Sequence, residues 1–160
     1  MEEDMTGPVE LIETKRRMAM VIAKSVPDKP GIAGELFSQL GKAGFNIEMI
    51  SESSISGGLA EISFALNESQ VNAAVAHLES LDVLKRSEFV IEKGRGILTV
   101  YGKNLAHEPG IAGKIFSILA QEAVNIDMIS TSFTAISVLI KDSYLTPARN
   151  LLSREFGLDA

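Results

Sequence analysis

The sequence contains no cysteine and no tryptophan, and aromatic residues make up only 6% of its 160 residues. Without cysteine there can be neither disulfide bonds nor the paired thiolates of metal chaperones. So few aromatics argue against an RNA-binding sheet, which stacks bases on aromatic side chains. No uninterrupted apolar run approaches the roughly 20 residues of a membrane-spanning helix, and the acidic first residues do not resemble a signal peptide. We therefore expect a soluble, cytoplasmic protein without cofactors.

Positive charge is also scarce, since 15 lysines and arginines stand against 21 aspartates and glutamates, which leaves a net charge of −6. Nucleic-acid binding depends on clustered lysine and arginine side chains. The nearest basic run is Lys15-Arg16-Arg17, which we interpret as a solvated flank of a strand. Nucleic acid is therefore not an expected partner.

One stretch of the sequence occurs twice. Residues 30–51 read PGIAGELFSQLGKAGFNIEMIS, and residues 109–130, which lie 79 positions later, read PGIAGKIFSILAQEAVNIDMIS. Each copy occupies about 80 residues, which makes a small core, so we expect the two copies to pack together. We divide the chain into an N-terminal tail with a possible edge strand (1–17), a first domain (18–93) and a second domain (94–160).

Hydrophobic periodicity predicts the same elements in both copies. The predicted strands are 18–25, 46–54, 59–66, 87–92, 97–101, 125–132 and 135–141. The predicted helices are 32–40, a helix opened by Asn67, 110–122 and 143–156. We expect Ser56-Gly57-Gly58 to form a hairpin turn and Gly94-Arg95-Gly96 to form a plain turn. This order predicts an α+β chain of two ferredoxin-like βαββαβ units, each an antiparallel sheet with its helices on one face.

The second copy has one strand fewer than the first, because its last helix runs to the end of the sequence. The segment Pro8–Thr14, PVELIET, has the alternation of a short strand. We hypothesise that this segment fills the vacant position in the second sheet.

The sequence shows no group of residues at the spacing of a catalytic or metal-binding site. His77 and His107 fall in different predicted elements, and neither has a second histidine at metal-binding spacing. The Gly94-Arg95-Gly96 stretch precedes a strand, so no helix N-terminus follows it to receive a phosphate. We therefore predict no catalytic residues and no metal site, which argues against a small enzyme of the acylphosphatase type on the same fold.

The repeated loops carry the recognisable chemistry. Each places Pro-Gly at the first turn of a helix, where unpaired backbone amides favour a small anion such as the carboxylate of an amino acid. In the first copy Asp28 could accept hydrogen bonds from an ammonium group, and Asn46 offers a donor and an acceptor; the second copy presents His107 and Asn125 instead. The residues also fit a plain reading, in which Asp28 belongs to a capped turn and the asparagines bond their own backbone.

The two loops and the segments that follow them resemble the tandem ACT domains of the regulatory part of aspartate kinase. The resemblance rests on VPDKPGIA (26–33) with NIEMIS (46–51), and on HEPGIA (107–112) with NIDMISTS (125–132) and ISVLI (136–140). It covers about residues 18–157. In that family paired ACT domains bind feedback amino acids, lysine or threonine, and so inhibit the kinase.

The resemblance and the two loops together imply an effector-binding set. Its expected members are Asp28, Lys29, Pro30, Gly31, Ile32, Ala33, Asn46, Ile47 and Glu52 in the first copy, and His107, Gly110, Ile111, Ala112, Asn125, Ile126 and Ser130 in the second. After Ser-Thr-Ser the family usually has an acidic residue and an isoleucine, whereas Phe133 and Thr134 stand here. Without that carboxylate a buried lysine ammonium would lack a partner, which favours an uncharged effector.

The expected function is that of a non-catalytic, amino-acid-sensing regulatory protein, because the kinase domain is absent from this sequence. Its expected partners are a small amino acid (threonine, lysine or another), a second copy of the chain in a homodimer, and an amino-acid kinase catalytic chain. The alternative is a ligand-free module that assembles an enzyme or a transcription factor.

Overall fold

The chain forms two compact units in the computed structural model, which describes residues 7–158. One unit, here called the continuous unit, consists of residues 17–94. The other, here called the split unit, combines the residues up to Arg16 with those from Arg95 onward. Each is described by itself below.

The regular elements are six strands and four α-helices within the described residues. The strands are β1 (Leu11–Pro27), β2 (Met49–Ser56), β3 (Leu59–Asn67), β4 (Glu88–Tyr101), β5 (Met128–Thr131) and β6 (Ala135–Lys141). The helices are α1 (Ile32–Lys42), α2 (Val71–Glu79), α3 (Ile111–Gln121) and α4 (Leu145–Glu155). Short 3-10 turns precede α2, α3 and α4 and follow α2.

Two of these strands are longer than the sequence pattern indicated. Residues 11–14 of the predicted strand 8–14 are merged with the predicted strand 18–25 in β1, and residues 88–92 are merged with the predicted strand 97–101 in β4. The prediction of a turn at Gly94-Arg95-Gly96 was therefore wrong. Gly94 does take a left-handed conformation (φ 68°), but the chain stays extended on both sides of it. Arg95 is then held beside Lys141 of β6, and its Nε donates to Asp127 Oδ2 at 2.7 Å.

In the continuous unit, the sheet order is β2-β3-β1-β4, and β3 runs antiparallel to both β2 and β1. The predicted alternation in β3 is confirmed, since Ala60, Ile62, Phe64 and Leu66 are all buried. Helices α1 and α2 cover this face, and the ring of Phe37 in α1 meets that of Phe64 edge-on at 5.8 Å. The core of this unit therefore lies between one face of the sheet and its two helices.

In the split unit, the order is β1-β4-β6-β5, with β6 antiparallel to β4 and β5. Val9 and Ile12 are buried in the same core as residues of α3 and α4. The Glu10 amide donates to the carbonyl of Tyr101 at 2.8 Å, and the Arg16 guanidinium bonds Asp142 Oδ1 at 2.8 Å and the hydroxyl of Thr146. Val9, Glu10 and the N-terminal part of β1 thus supply core side chains and strand contacts to the unit formed by residues 95–158.

Both units have the predicted ferredoxin-like plan, with antiparallel strands and two helices packed on one face. The sequence places Pro147 in the first turn of α4, where its missing N–H costs no helical hydrogen bond. Asn67 opens a 3-10 turn and not α2 as predicted: its Oδ1 accepts from the Ser69 amide, and α2 begins at Val71 with Gln70 as its N-cap. Among residues 7–158, no helix is both long and apolar enough to cross a bilayer.

Candidate functional site

The loop before α1 in the continuous unit is built around Gly31. This residue is the N-cap of the helix and has φ 89°, a conformation that costs little only for glycine. No side chain caps the helix, and the Gly31 carbonyl accepts from the Glu35 amide at 2.9 Å. The Ile32 amide donates to the Lys29 carbonyl at 3.3 Å. The next amides of the first turn face the loop without a side-chain acceptor, which is the arrangement that favours a bound carboxylate.

Asp28 stands at the start of this loop and is held in two ways. Its amide donates to the Gly58 carbonyl at 2.8 Å, and its Oδ2 accepts from the hydroxyl of Ser54 at 2.8 Å. The hairpin that connects β2 and β3, with its predicted turn at Gly57-Gly58, thereby reaches the loop before α1. The carboxylate is exposed and keeps acceptor capacity for a ligand.

Glu52 lies on the same side of β2 as Ser54. Across the sheet, Glu52 is paired with Ile62, and Ser54 is paired with Ala60. Ile62 and Ala60 are both on the side of β3 that faces the helices. Because directly opposite residues share a face of a sheet, both side chains lie on the face that α1 covers. No residue from 7 to 158 forms an ion pair or a hydrogen bond with the Glu52 carboxylate. Two acidic side chains, Asp28 and Glu52, therefore belong to one edge of the continuous unit.

The split unit repeats the helix start but not its surroundings. Gly110 caps α3 with φ 90°, and its carbonyl accepts from the Lys114 amide at 2.9 Å. Ahead of it, the chain makes a 3-10 turn, Leu105–His107, that is fixed by a bond of 3.3 Å from the Ala106 amide to the Phe133 carbonyl. His107 is exposed. Within residues 7–158, this loop has no counterpart of the bond between Asp28 and Ser54.

Around the two loops, the copies differ in charge at four pairs of equivalent positions, 79 residues apart in the sequence. The continuous unit has Asp28, Lys29, Glu35 and Glu52, and the split unit has His107, Glu108, Lys114 and Thr131 there. The first copy thus has three carboxylates and one ammonium at these positions, and the second has one of each.

The apolar members of the predicted set mainly support the loops. Ile32, Ala33 and Ile47 are partly buried against the core of the continuous unit. Ile111, Ala112 and Ile126 occupy the same places against the core of the split unit. Lys29 and Pro30 are exposed in the first loop. Apart from Lys29, whose ammonium is a cation in the first loop, these residues add no polar side chains of their own.

Three predicted residues lie away from the loops of their own copies. Asn46 follows α1, at the opposite end of that helix from Gly31, and an 11-residue helix separates its ends by about 16 Å; Asn46 Nδ2 donates to Glu48 Oε1 at 3.0 Å. Asn125 follows α3 in the same way. Ser130 is paired with Ser137, whose neighbours Ile136 and Val138 face the helices, so Ser130 lies on the other face. Within one copy, these three do not join the loop.

Ser54 is the residue of this site that was not predicted. The predicted strand 46–54 alternates, so its position two residues after Glu52 placed both on one face. The alternation could therefore have indicated that Ser54 lies near Glu52, but nothing in the sequence linked Ser54 to Asp28. The link depends on the length of the β2–β3 hairpin, which the sequence pattern defines poorly.

Comparison with known proteins agrees with this architecture. The sequence profile of the ACT domain matches residues 20–80 and 98–156. The chain belongs to the ACT domain family. One segment lies entirely in each unit, so the duplication seen in the sequence is a duplication of this domain.

The relatives are aspartate kinases. The aspartokinase of Mycolicibacterium smegmatis is 34% identical over 146 residues, which are 89% of this chain and 35% of that protein. The regulatory subunit of aspartate kinase from Thermus thermophilus superposes with a TM-score of 0.82 at 26% identity, covering 92% of this chain and 97% of that one. A chain from a structure of aspartokinase alpha and beta subunits gives 0.84 at 28% identity, with 94% and 99% covered. This chain thus spans 35–39% of the curated relatives and resembles their regulatory part.

Proposed function

We propose that this chain is a non-catalytic regulatory protein of the aspartate-kinase type, which binds a free amino acid and transmits that binding to an amino-acid kinase chain. The observation that carries the proposal is the likeness of both ACT domains to a regulatory subunit. The regulatory subunit of aspartate kinase from Thermus thermophilus superposes on 92% of this chain with a TM-score of 0.82. This chain matches only about a third of whole aspartokinases.

The effector site that we propose is the loop of the continuous unit. The amides at the start of α1 would receive the α-carboxylate, because they have no side-chain cap and the helix dipole favours an anion there. Asp28 would accept hydrogen bonds from the α-ammonium, and Ser54 would fix the orientation of that carboxylate. The loop of the split unit has His107 in place of Asp28 and therefore has no carboxylate at this position.

The remaining predicted residues would act through a second copy of the chain. Strand β2 is an edge strand, and it exposes two large apolar side chains, Ile50 (52%) and Ile55 (62%). Unpaired edges of this kind favour pairing with another chain. A homodimer joined there would cover the open side of the loop, and the segment from Asn46 of the partner could then approach the effector.

Binding becomes regulation only if the effector has different affinities for two arrangements of the protein. The test is affinity capture of the tagged chain from its native cells, with and without added amino acids. We expect an amino-acid kinase chain among the captured proteins, in an amount that changes with one amino acid. Capture of no such kinase under any condition would contradict the proposal.

A ligand-free assembly module is the second candidate. It is favoured by Phe133, which is 82% exposed beside the loop of the split unit, because exposed aromatic side chains are common anchors of protein interfaces. Under this alternative, the amount of partner that the wild-type chain captures would not change with any added amino acid. The substitution Phe133→Ser would abolish the capture.

A further inference from the structure

A polar cleft lies in the continuous unit at the start of α2. Its lining side chains are all polar or charged and come from β1, β4 and the turn that leads into α2: Arg17, Asn67, Glu68, Ser69, Asn72 and Lys93. Two cations stand against one carboxylate among these residues, in a protein whose net charge is −6. The guanidinium of Arg17 is exposed and forms no ion pair or hydrogen bond with any residue from 7 to 158. It is therefore available to a bound anion.

Arg17 also has a backbone conformation that costs energy. Its φ is 59°, in the left-handed region that residues with a Cβ rarely adopt. The N-cap of the 3-10 turn ahead of each second helix is paired across the sheet with Met18 in β1 and with Arg95 in β4. The residues just before these two, Arg17 and Gly94, are therefore equivalent. Gly94 has φ 68°, which glycine adopts without strain, so the first copy has a strained arginine where the second has glycine.

The corresponding corner of the split unit is neutralised within the protein. The Arg16 guanidinium bonds Asp142 Oδ1 at 2.8 Å and also the hydroxyl of Thr146. Counted from the two N-caps, Asp142 corresponds to Glu68 and Thr146 corresponds to Asn72. One cation thus meets one carboxylate in the split unit, whereas the continuous unit has an additional guanidinium at this corner.

We propose that this cleft binds a phosphate group, either as free phosphate or as part of a phosphomonoester. The N–H groups of a guanidinium match two phosphate oxygens, and Lys93 adds a second positive charge. Asn67 Oδ1 accepts from the amide and the hydroxyl of Ser69, which leaves its Nδ2 group as a donor. Asn72, in the first turn of α2, adds a second carboxamide. The cleft therefore offers an oxyanion a guanidinium, an ammonium and two carboxamide donors.

The cleft is separate from the proposed effector loop. Arg17 and Pro27, the residue before Asp28, are ten positions apart in β1, which corresponds to about 30 Å of strand. A phosphate bound at the cleft would thus lie at the opposite end of β1 from an amino acid bound at the loop. The inference goes beyond the proposed function, and the two sites can be tested independently.

The test is isothermal titration and thermal unfolding of the full-length protein with inorganic phosphate, at constant ionic strength with sodium chloride as the matched salt. The wild-type protein should bind phosphate and melt at a higher temperature in phosphate than in chloride. Arg17→Gly should weaken phosphate binding at least about tenfold, because the charged hydrogen bonds of the guanidinium are lost. In chloride, this variant should melt close to the wild-type temperature, since glycine relieves the strain at φ 59° and this offsets its entropic cost.

Arg86→Gly is the matched control, because Arg86 is an exposed arginine of the same unit that does not line the cleft. It should bind phosphate as the wild-type protein does. Adenosine monophosphate, as a second probe, separates the two sources of the phosphate group. Binding tighter than that of inorganic phosphate would indicate a phosphomonoester and equal binding would indicate free phosphate, and both results support the site.

Two results would overturn the phosphate site. One is a wild-type protein that phosphate stabilises no more than matched chloride does. The other is an equal loss of phosphate binding in Arg17→Gly and Arg86→Gly, which would show a general effect of charge. Either result would leave the proposed amino-acid sensor intact, and a failure of every amino acid to bind would leave the phosphate site intact.

Discussion

Replacing Ile12 by alanine tests whether the N-terminal strand is an integral part of the split unit. Ile12 is 9% exposed and belongs to the core that contains residues of α3, α4 and β6. Removing a buried isoleucine side chain to its β-carbon costs about 2–5 kcal/mol. The residual exposure of Ile12 places the expected loss at the lower end of that range, about 2–3 kcal/mol, which is a large part of the stability of a small domain.

The neighbouring residue supplies the control, because Leu11 has a side chain of the same size and is 49% exposed on the other side of the strand. Leu11→Ala should change the free energy of unfolding by no more than about 0.5 kcal/mol. Urea denaturation of the two variants gives both values. Native-state hydrogen exchange should show the loss of protection for Ile12→Ala in strands β5 and β6 first. Equal effects of the two substitutions, or loss of protection confined to residues 17–94, would refute the assignment of this strand.

Three further predictions concern single contacts. A Cβ added at Gly102 would overlap the carbonyl oxygen of Pro8. Gly102→Ala should therefore destabilise the protein by about 1–3 kcal/mol in thermal unfolding. An unchanged melting temperature would mean that residue 8 does not approach the end of β4. The Nε2 atom of His77 is buried and has no hydrogen-bond partner among residues 7–158. Because an unsatisfied buried polar group is costly, His77→Leu should raise the free energy of unfolding by about 1–3 kcal/mol. A lower melting temperature would disprove this. Gly31→Ala should cost about 1–2 kcal/mol, because φ 89° is strained for any residue with a Cβ, and a smaller cost would show that the loop relaxes.

Much of the fold could be predicted because the apolar positions repeat with clear periods. Ile62, Phe64 and Leu66 alternate in β3, and Leu36 and Leu40 recur at helical spacing in α1, so both elements and their buried faces follow from the sequence. The continuity of β4 could not be predicted in this way. Two glycines flank Arg95, and glycine pairs ordinarily mark turns. The pairing of β4 with its neighbours β1 and β6, together with the contact of Arg95 with Asp127, keeps the strand extended here.

The site was predictable in its backbone and not in its polar partners. The Pro-Gly sequence before each helix indicates a glycine N-cap, and Gly31 and Gly110 both have that role. The positions of Asn46 and Ser130 depend on helix length and strand register, which the pattern leaves undefined by a residue or more. The contact between Asp28 and Ser54 is closed by a hairpin, and side chains 26 residues apart cannot be paired from local sequence alone.

The central claim, that the loop at Asp28 binds a free amino acid, is tested most directly by thermal unfolding in the presence of each common amino acid. A ligand at 100 times its dissociation constant should stabilise the wild-type protein by about 2.7 kcal/mol. Asp28→Asn should abolish this stabilisation, and His107→Asn, at the equivalent position of the other copy, should leave it intact. Stabilisation by no amino acid, or stabilisation that survives Asp28→Asn, would contradict the account.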